Sequence, residues 1–233
     1  NVVGNYVGDH NAINAALRLC KKVKLESGTF IVKKPIVLND GNELLIEGDA
    51  VLKLGDAANC TLLKNSHVDI YKDNLGNPTY PAGFKKHKNI TIHGKGVIDG
   101  NGWMQNRASN TAVGDNTAVL GTEMFSDGSG VGSYYFGAAI KLADIENLKF
   151  ENLTIRNPRT YAILAAGLRN YEFKGLIAER NYKVVNQDFL HLHGDCYDGE
   201  ISNIYGVSGD DLIAVTTREA GDLTLRRGDV KRL

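Results

Sequence analysis

The chain repeats itself. Leu148-x-Phe150-x-x-Leu153-x-Ile155 recurs as Tyr171-x-Phe173-x-x-Leu176-x-Ala178, then as Gly199-x-Ile201-x-x-Ile204-x-Gly206, then as Leu223-x-Leu225-x-x-Gly228-x-Val230. The offsets are 23, 28 and 24 residues. A unit of this length cannot bury its own apolar face, so it must stack on copies of itself, and the period is that of a solenoid. Inside each unit apolar and polar residues alternate at period two, with Gly, Asn and Asp between runs. That pattern reads as short strands rather than helices. A leucine-rich horseshoe lacks its fixed consensus here. The expected fold is all-β, a right-handed parallel β-helix over residues 1–233 as one domain, its hand following from the crossover rule for parallel strands. Uneven offsets fit, because the turns of such a coil absorb insertions.

The same repetition places carboxylates together. Asn186-Gln187-Asp188 is followed one repeat later by Gly209-Asp210-Asp211. Asp188 and Asp211 are 23 residues apart and fall at the same point of successive units. Neighbouring strands lie about 4.8 Å apart, so Asp188, Asp210 and Asp211 form one cluster. Their repulsion should raise at least one pKa and leave a proton available. Clustered carboxylates can supply both the acid and the base for glycosidic cleavage, and an inverting enzyme needs a pair roughly 6.5–9.5 Å apart, compatible with a diagonal across two coils. Any one of these aspartates could equally cap backbone N–H groups in a turn. Strict alternation sets Asp188 and Asp211 in phase with Leu190, Leu192, Ile213 and Val215, which read as core, so the strands must bend just after the aspartates.

Other classes of function find little support. Lys+Arg and Asp+Glu are equal at 27 each, which argues against a nucleic-acid footprint or a membrane-surface patch. No apolar run approaches membrane-spanning length, and Asn1-Val2-Val3-Gly4 has no signal-peptide pattern. Cys20, Cys60 and Cys196 are odd in number and widely spaced; they read as incidental or buried thiols, with no disulfide framework and no zinc spacing. No cofactor and no metal are expected.

Along the chain, residues 9–20 read as an amphipathic capping helix, with Asp9 as N-cap and Ala12, Ile13, Ala16 and Leu17 as its stripe. Strand-like runs follow at 23–25, 29–32, 43–46 and 50–54, punctuated by Gly28, Gly41, Gly48 and Gly55. Residues 71–88 read as a loop. Strands restart at Asn89, and residues 101–136 form a long loop with Trp103, Phe125, Tyr134, Tyr135 and Phe136. Loops of this length are usually functional or disordered. Trp103 is a candidate for stacking on a sugar ring. His191 and His193 share the outer face of the strand after Asp188, as substrate-binding residues or as ordinary exposed ones. Asn186 and Arg218 flank the carboxylates, as do Arg156, Arg159 and Lys183, and cations there would suit an acidic polysaccharide. Asp229–Leu233 lies within a repeat, so further coils or a subunit interface are expected beyond it.

Gly96-Val97-Ile98-Asp99-Gly100-Asn101-Gly102-Trp103, Asn152-Leu153-Thr154-Ile155-Arg156-Asn157-Pro158, Asn186-Gln187-Asp188 and Gly209-Asp210-Asp211-Leu212-Ile213-Ala214-Val215 together resemble the polygalacturonase family of glycoside hydrolases, within the pectin-lyase-like β-helix superfamily. The opening, Ala12 to Leu17 followed by Gly28-Thr29-Phe30, is similar to the capped start of phage tailspike depolymerases. The superfamily resemblance covers nearly the whole chain, and the catalytic one about residues 85–216. It implies Asp210 as general acid and Asp188 with Asp211 as the pair that activates water. The family carries Gly where Phe189 stands, then Gly-His-Gly and Arg-x-Lys on later coils, which this sequence lacks.

The expected function is therefore polysaccharide hydrolysis with inversion, by a secreted carbohydrase or a phage tail protein. The partner is a polysaccharide, with no nucleic acid and no membrane insertion. A homotrimer is the analogy with phage β-helices. A non-catalytic, glycan-binding or structural tail-fibre β-helix is the alternative, and a polysaccharide lyase on the same fold comes third.

Overall fold

The computed structural model of the protein describes residues 8–68, 79–105, 138–179, 187–217 and 228–233. The helix α1 (His10–Cys20) opens the chain. The first coils hold β1 (Lys22–Val32), β2 (Ile36–Leu38), β3 (Glu43–Leu54), β4 (Leu63–Asn65), β5 (His87–Gly94) and β6 (Val97–Asp99). The next hold β7 (Ile140–Ala143), β8 (Ile145–Glu151), β9 (Thr154–Arg156), β10 (Ile163–Ala166), β11 (Arg169–Lys174) and β12 (Ile177–Glu179). Last come β13 (Leu190–His193), β14 (Cys196–Ser202), β15 (Tyr205–Gly206), β16 (Ile213–Thr216) and β17 (Val230–Lys231).

These strands stack into a right-handed parallel β-helix. One sheet runs β2-β4-β7-β10-β13-β16. The other has two limbs, β5-β8-β11-β14-β17 and β6-β9-β12-β15, joined by β3, which pairs with both and with β1. The repeat read from the sequence is the register of the coil. Leu148 faces Tyr171 and Phe150 faces Phe173; Tyr171 faces Gly199 and Phe173 faces Ile201. Ala178 lies between Ile155 and Gly206. Phe150 and Phe173 are fully buried with ring centroids 6.0 Å apart. Burial of each such side chain contributes about 1.5–3 kcal/mol. A side chain at 199 would collide with the Tyr171 ring, since a Cβ there would lie 2.1 Å from it, so the repeat drops from Tyr to Gly to let one ring occupy two levels.

The last repeat departs from the sequence reading. Val230 pairs with Cys196 and Lys231 with Tyr197, so Val230 opens a strand of the β14 column instead of sitting opposite Gly206. The interval is 34 residues, not 24. Leu223 and Leu225 lie outside the described residues. The glycine punctuation also misleads: Gly28 and Gly48 lie inside β1 and β3, which run unbroken past them and pair over 22–32 and 43–54 with one irregularity between Leu25 and Ser27. Asp9 does not cap α1; its side chain makes no cap hydrogen bond and instead accepts the Ile31 N–H at 3.2 Å. Ile13 and Leu17 are buried as expected, while Ala12 is exposed. Asn14 pins the helix to the first coil, donating to the Pro35 carbonyl at 2.9 Å and accepting from the Val37 N–H at 2.8 Å. Cys20 is exposed, and Cys60 and Cys196 are buried free thiols. The bulk of the two predicted loops, 69–78 and 106–137, lies outside the described residues.

One bend of the coil is held by a polar column. Asn89, Asn147, Asn170 and Asp198 occupy one register position, and each has positive φ, between 49° and 62°. Asparagine tolerates this conformation better than most side chains. The Asn147 amide donates to Asn89 Oδ1 at 2.9 Å, and the Asn170 amide to Asn147 Oδ1 at 2.7 Å. The Arg232 guanidinium closes the column on Asp198 and holds that carboxyl below the usual aspartate range.

Candidate active site

Strands β13 and β16 are neighbours, with Leu190 opposite Ile213, His191 opposite Ala214, Leu192 opposite Val215 and His193 opposite Thr216. The ladder continues before the strands begin. The Phe189 N–H donates to the Asp211 carbonyl at 2.9 Å, and the Ala162 N–H to the Asp188 carbonyl at 2.8 Å. Tyr161, Asp188 and Asp211 thus form one column, and Gln187 and Asp210 fall in the column beside it. The chain bends at Phe189 and Leu212. Phe189 is buried in the core and Leu212 packs against it. The phase of alternation therefore slips by one residue, so Leu190 can face the core while Asp188 turns away. The side chain that replaces the family's glycine points inward and does not enter the site.

The three carboxylates differ in environment. Asp188 is 5% exposed, and one of its oxygens, Oδ2, lies 2.7 Å from His191 Nδ1. Asp210 and Asp211 are exposed. Among the described residues no other side chain hydrogen-bonds to the carboxylate of Asp188, Asp210 or Asp211, and the Ser208 hydroxyl donates to the Asp210 backbone carbonyl at 2.6 Å. The Asp210 carboxyl is pushed above the usual aspartate range, first by its partial burial and then by the negative charges of Asp188 and Asp211; a backbone hydrogen bond from Asp211 works the other way. Asp210 therefore keeps its proton to higher pH than an ordinary aspartate.

Gln187 and Gly209 position these groups. Gln187 is 1% exposed, and its amide donates to the Pro158 carbonyl at 2.6 Å. Its own carbonyl accepts the Gly209 N–H at 3.0 Å. A Cβ at 209 would lie 2.9 Å from the Gln187 side chain. The glycine before the two aspartates is thus a clearance for the glutamine one coil below, which seats Asp210 beside Asp188. A similar clearance explains Gly100 and Gly102, where added Cβ atoms would meet the backbone of 157–159 at 2.5–3.0 Å.

The histidines are not exposed strand residues. His191 and His193 are 3% and 2% exposed. They lie on the face opposite Leu190 and Leu192, as alternation requires, but that face is covered. His191 Nε2 lies 3.0 Å and His193 Nδ1 3.2 Å from Thr216 Oγ1, and the Tyr161 ring stands over His191 with centroids 4.7 Å apart. Both ring nitrogens of His191 are engaged within the protein, one with Asp188 and one with Thr216. Thr216 and Tyr161 were not singled out from the sequence; the 23-residue offset that links Asp188 to Asp211 also links His193 to Thr216 and would have found it.

Most of the remaining candidates lie outside the described residues. Asn186 and Arg218 lie outside the described residues, as do Lys183, Phe125, Tyr134, Tyr135 and Phe136, and of Trp103 only the backbone is described, in a short helical turn at 102–104. Arg156 is paired with Asp99 at 2.9 Å, and Arg159 is 7% exposed. Ser66, His87 and Asp40 form another hydroxyl–imidazole–carboxylate row, with contacts of 2.8 and 3.1 Å. There the serine hydroxyl donates to Asn39 at 2.9 Å and Asp40 caps the Lys88 N–H at 2.6 Å, which makes the row a clamp on the start of β5. Among the described residues no group of three or more His, Cys, Asp and Glu is placed to hold a metal ion.

Comparison with known proteins bears on this geometry. Comparison with curated protein sequences gives no match. Among solved structures, the chain is similar to the polygalacturonase of Erwinia carotovora, with 15% identity and a TM-score of 0.65 over 94% of this chain and 58% of that one. The family 28 exopolygalacturonase of Yersinia enterocolitica gives 20% identity and a TM-score of 0.65 over 93% of this chain and 44% of that one. Gene product 12 of bacteriophage phi29 gives 12% identity and a TM-score of 0.55 over 91% of this chain and 31% of that one. This chain thus spans about half the length of the two polygalacturonases. The model for glycosyl hydrolases family 28 matches residues 32–225, which include β13, β16 and all three aspartates. The chain belongs to glycosyl hydrolase family 28, on a pectin-lyase-like β-helix.

Proposed function

We propose that this chain carries the acid and base of a polysaccharide hydrolase that inverts the anomeric centre. Asp210 gives its proton to the glycosidic oxygen as the bond to the anomeric carbon breaks. Asp188 and Asp211 hold a water on the opposite face and take its proton as its oxygen bonds to that carbon. One proton leaves the enzyme, one arrives, and no cofactor enters the balance. The observation that carries this reading is the cluster itself: two carboxylates in register on adjacent strands, beside a third whose proton they help to retain. A polymer too large to enter a cell sets such an activity outside it.

The test is a reducing-end assay of the full natural chain on a panel of uronic-acid and bacterial-surface polysaccharides. Asp210→Asn should cost about 10²- to 10⁴-fold in kcat. Proton NMR of the first product should show inverted anomeric configuration. Products absorbing in the ultraviolet would mark a lyase instead, and glycan binding without new reducing ends would make the cluster a binding feature.

A further inference from the structure

The contacts around His191 fix where its protons sit. A carboxylate only accepts hydrogen bonds, so at 2.7 Å from Asp188 Oδ2 the Nδ1 of His191 carries the hydrogen. In a neutral imidazole Nε2 is then bare and accepts from the Thr216 hydroxyl 3.0 Å away. That hydroxyl has one hydrogen, so towards His193 Nδ1, at 3.2 Å, it can only accept. His193 therefore also carries its hydrogen on Nδ1. The three contacts of the row then run in one direction, from His193 through Thr216 and His191 to Asp188.

The row spans two coils. Asp188, His191 and His193 belong to the β13 level, and Thr216 ends β16, the strand that follows Asp210 and Asp211. We propose that His191 is a positioning residue for Asp188: it takes up Oδ2, leaves the other oxygen to meet the water, and ties the placement of that carboxylate to the strand that follows the acid. The effect on turnover rests on the proposed hydrolysis; the proton placement does not. The Tyr161 ring packs against the imidazole from the coil below, with centroids 4.7 Å apart.

Two measurements on the full natural chain decide this. Long-range proton–nitrogen NMR at neutral pH should show His191 and His193 with hydrogen on Nδ1 and a bare Nε2. Free histidine prefers the opposite tautomer, so finding it at His191 would overturn the proposal. The Asp188 carboxyl carbon signal, assigned by its loss in Asp188→Asn, should move in His191→Leu. It should return towards its wild-type position in His191→Asn, whose amide can replace Nδ1. An unmoved signal in His191→Leu would overturn the proposal. Thr216→Val should release His193 from its tautomer, which keeps the test open if His191→Leu does not fold. In turnover, His191→Leu should lower kcat roughly tenfold to a hundredfold with KM unchanged, the cost of a carboxylate displaced by about 1 Å, and His191→Asn should recover most of it. An unchanged kcat in His191→Leu, with the NMR pattern intact, would remove the positioning role. Absence of hydrolysis by the wild type would instead refute the hydrolase reading and leave the NMR arm to decide the row.

Discussion

Two polar columns run along this solenoid, and they obey the same geometry with opposite results. At one bend Asn89, Asn147 and Asn170 stack in register, each amide able to donate to the coil below and accept from the coil above, and the end of the column is neutralised by Arg232 on Asp198. Beside β13 and β16 the stacked groups are carboxylates, which cannot donate to one another, and Asp210 is driven above its usual range by its burial and by its neighbours. Repetition of an amide satisfies hydrogen bonds; repetition of a carboxylate stores repulsion that can be released only by a proton or a substrate. The coil is the same, and the side chain decides whether a column is structural or chemical.

The largest expected effect breaks the chemical column. Asp188→Asn should keep the fold and lower kcat by about 10²- to 10⁴-fold in a reducing-end assay, because the proposed base is lost. The structural column should respond in stability instead. Asn147→Ala leaves an ordinary side chain in a left-handed conformation, where it costs about 1–2 kcal/mol, read as a lower urea midpoint, while Asn147→Gly should lose less. Converting one column into the other is a sharper test. Asn170→Asp replaces a donor facing Asn147 with an acceptor and adds a charge beside Asp198. It should cost about 1 kcal/mol at neutral pH and recover as pH falls below about 4, where the new carboxyl is protonated.

The smallest effect has the opposite sign. The Asp210 pKa is raised in the folded chain, so the contribution of this group to stability is fully present below the ordinary aspartate value and is lost as pH rises through the folded value. Asp210→Asn should therefore raise Tm slightly at pH 7, with the difference vanishing on acidification below about 4, the ordinary aspartate value. A wild type more stable than this variant at neutral pH would mean that Asp210 is not under repulsion.

Much of this was legible in the sequence, because a solenoid writes its register as a period. The columns 148–171–199 and 188–211 were read directly from spacing, and so was the bend that frees Asp188. What was missed has physical causes. β2 and β4 are three residues long, too short to show alternation. Gly28 and Gly48 look like breaks but lie in strands held by parallel pairing on a long neighbour. The last repeat was set ten residues early because apolar spacing alone cannot distinguish the true register from a chance match. His191 and His193 were placed on the correct face, but burial of an outer face depends on what covers it, and no periodicity reports that.

The pairings also set the order in which the chain can close on itself. From β7 onward partners are 23 to 34 residues apart, as in Ile140 with Ile163 and Cys196 with Val230. Between the first coils and the rest the separations jump to 57 for Val97 with Thr154 and 77 for Leu63 with Ile140. Closure entropy grows only as the logarithm of loop length, so a 57-residue closure costs about 0.8 kcal/mol more than a 23-residue one. Contact order is raised there and also where β3 meets β5 and β6, at 48 residues for Glu43 with Thr91 and 46 for Val51 with Val97, so folding that propagates from coil to coil slows at both steps. Thermodynamically these closures are inexpensive; in sequence distance they set the first coils apart from the regularly spaced run that begins at β7, and the proposed catalytic residues all belong to that run.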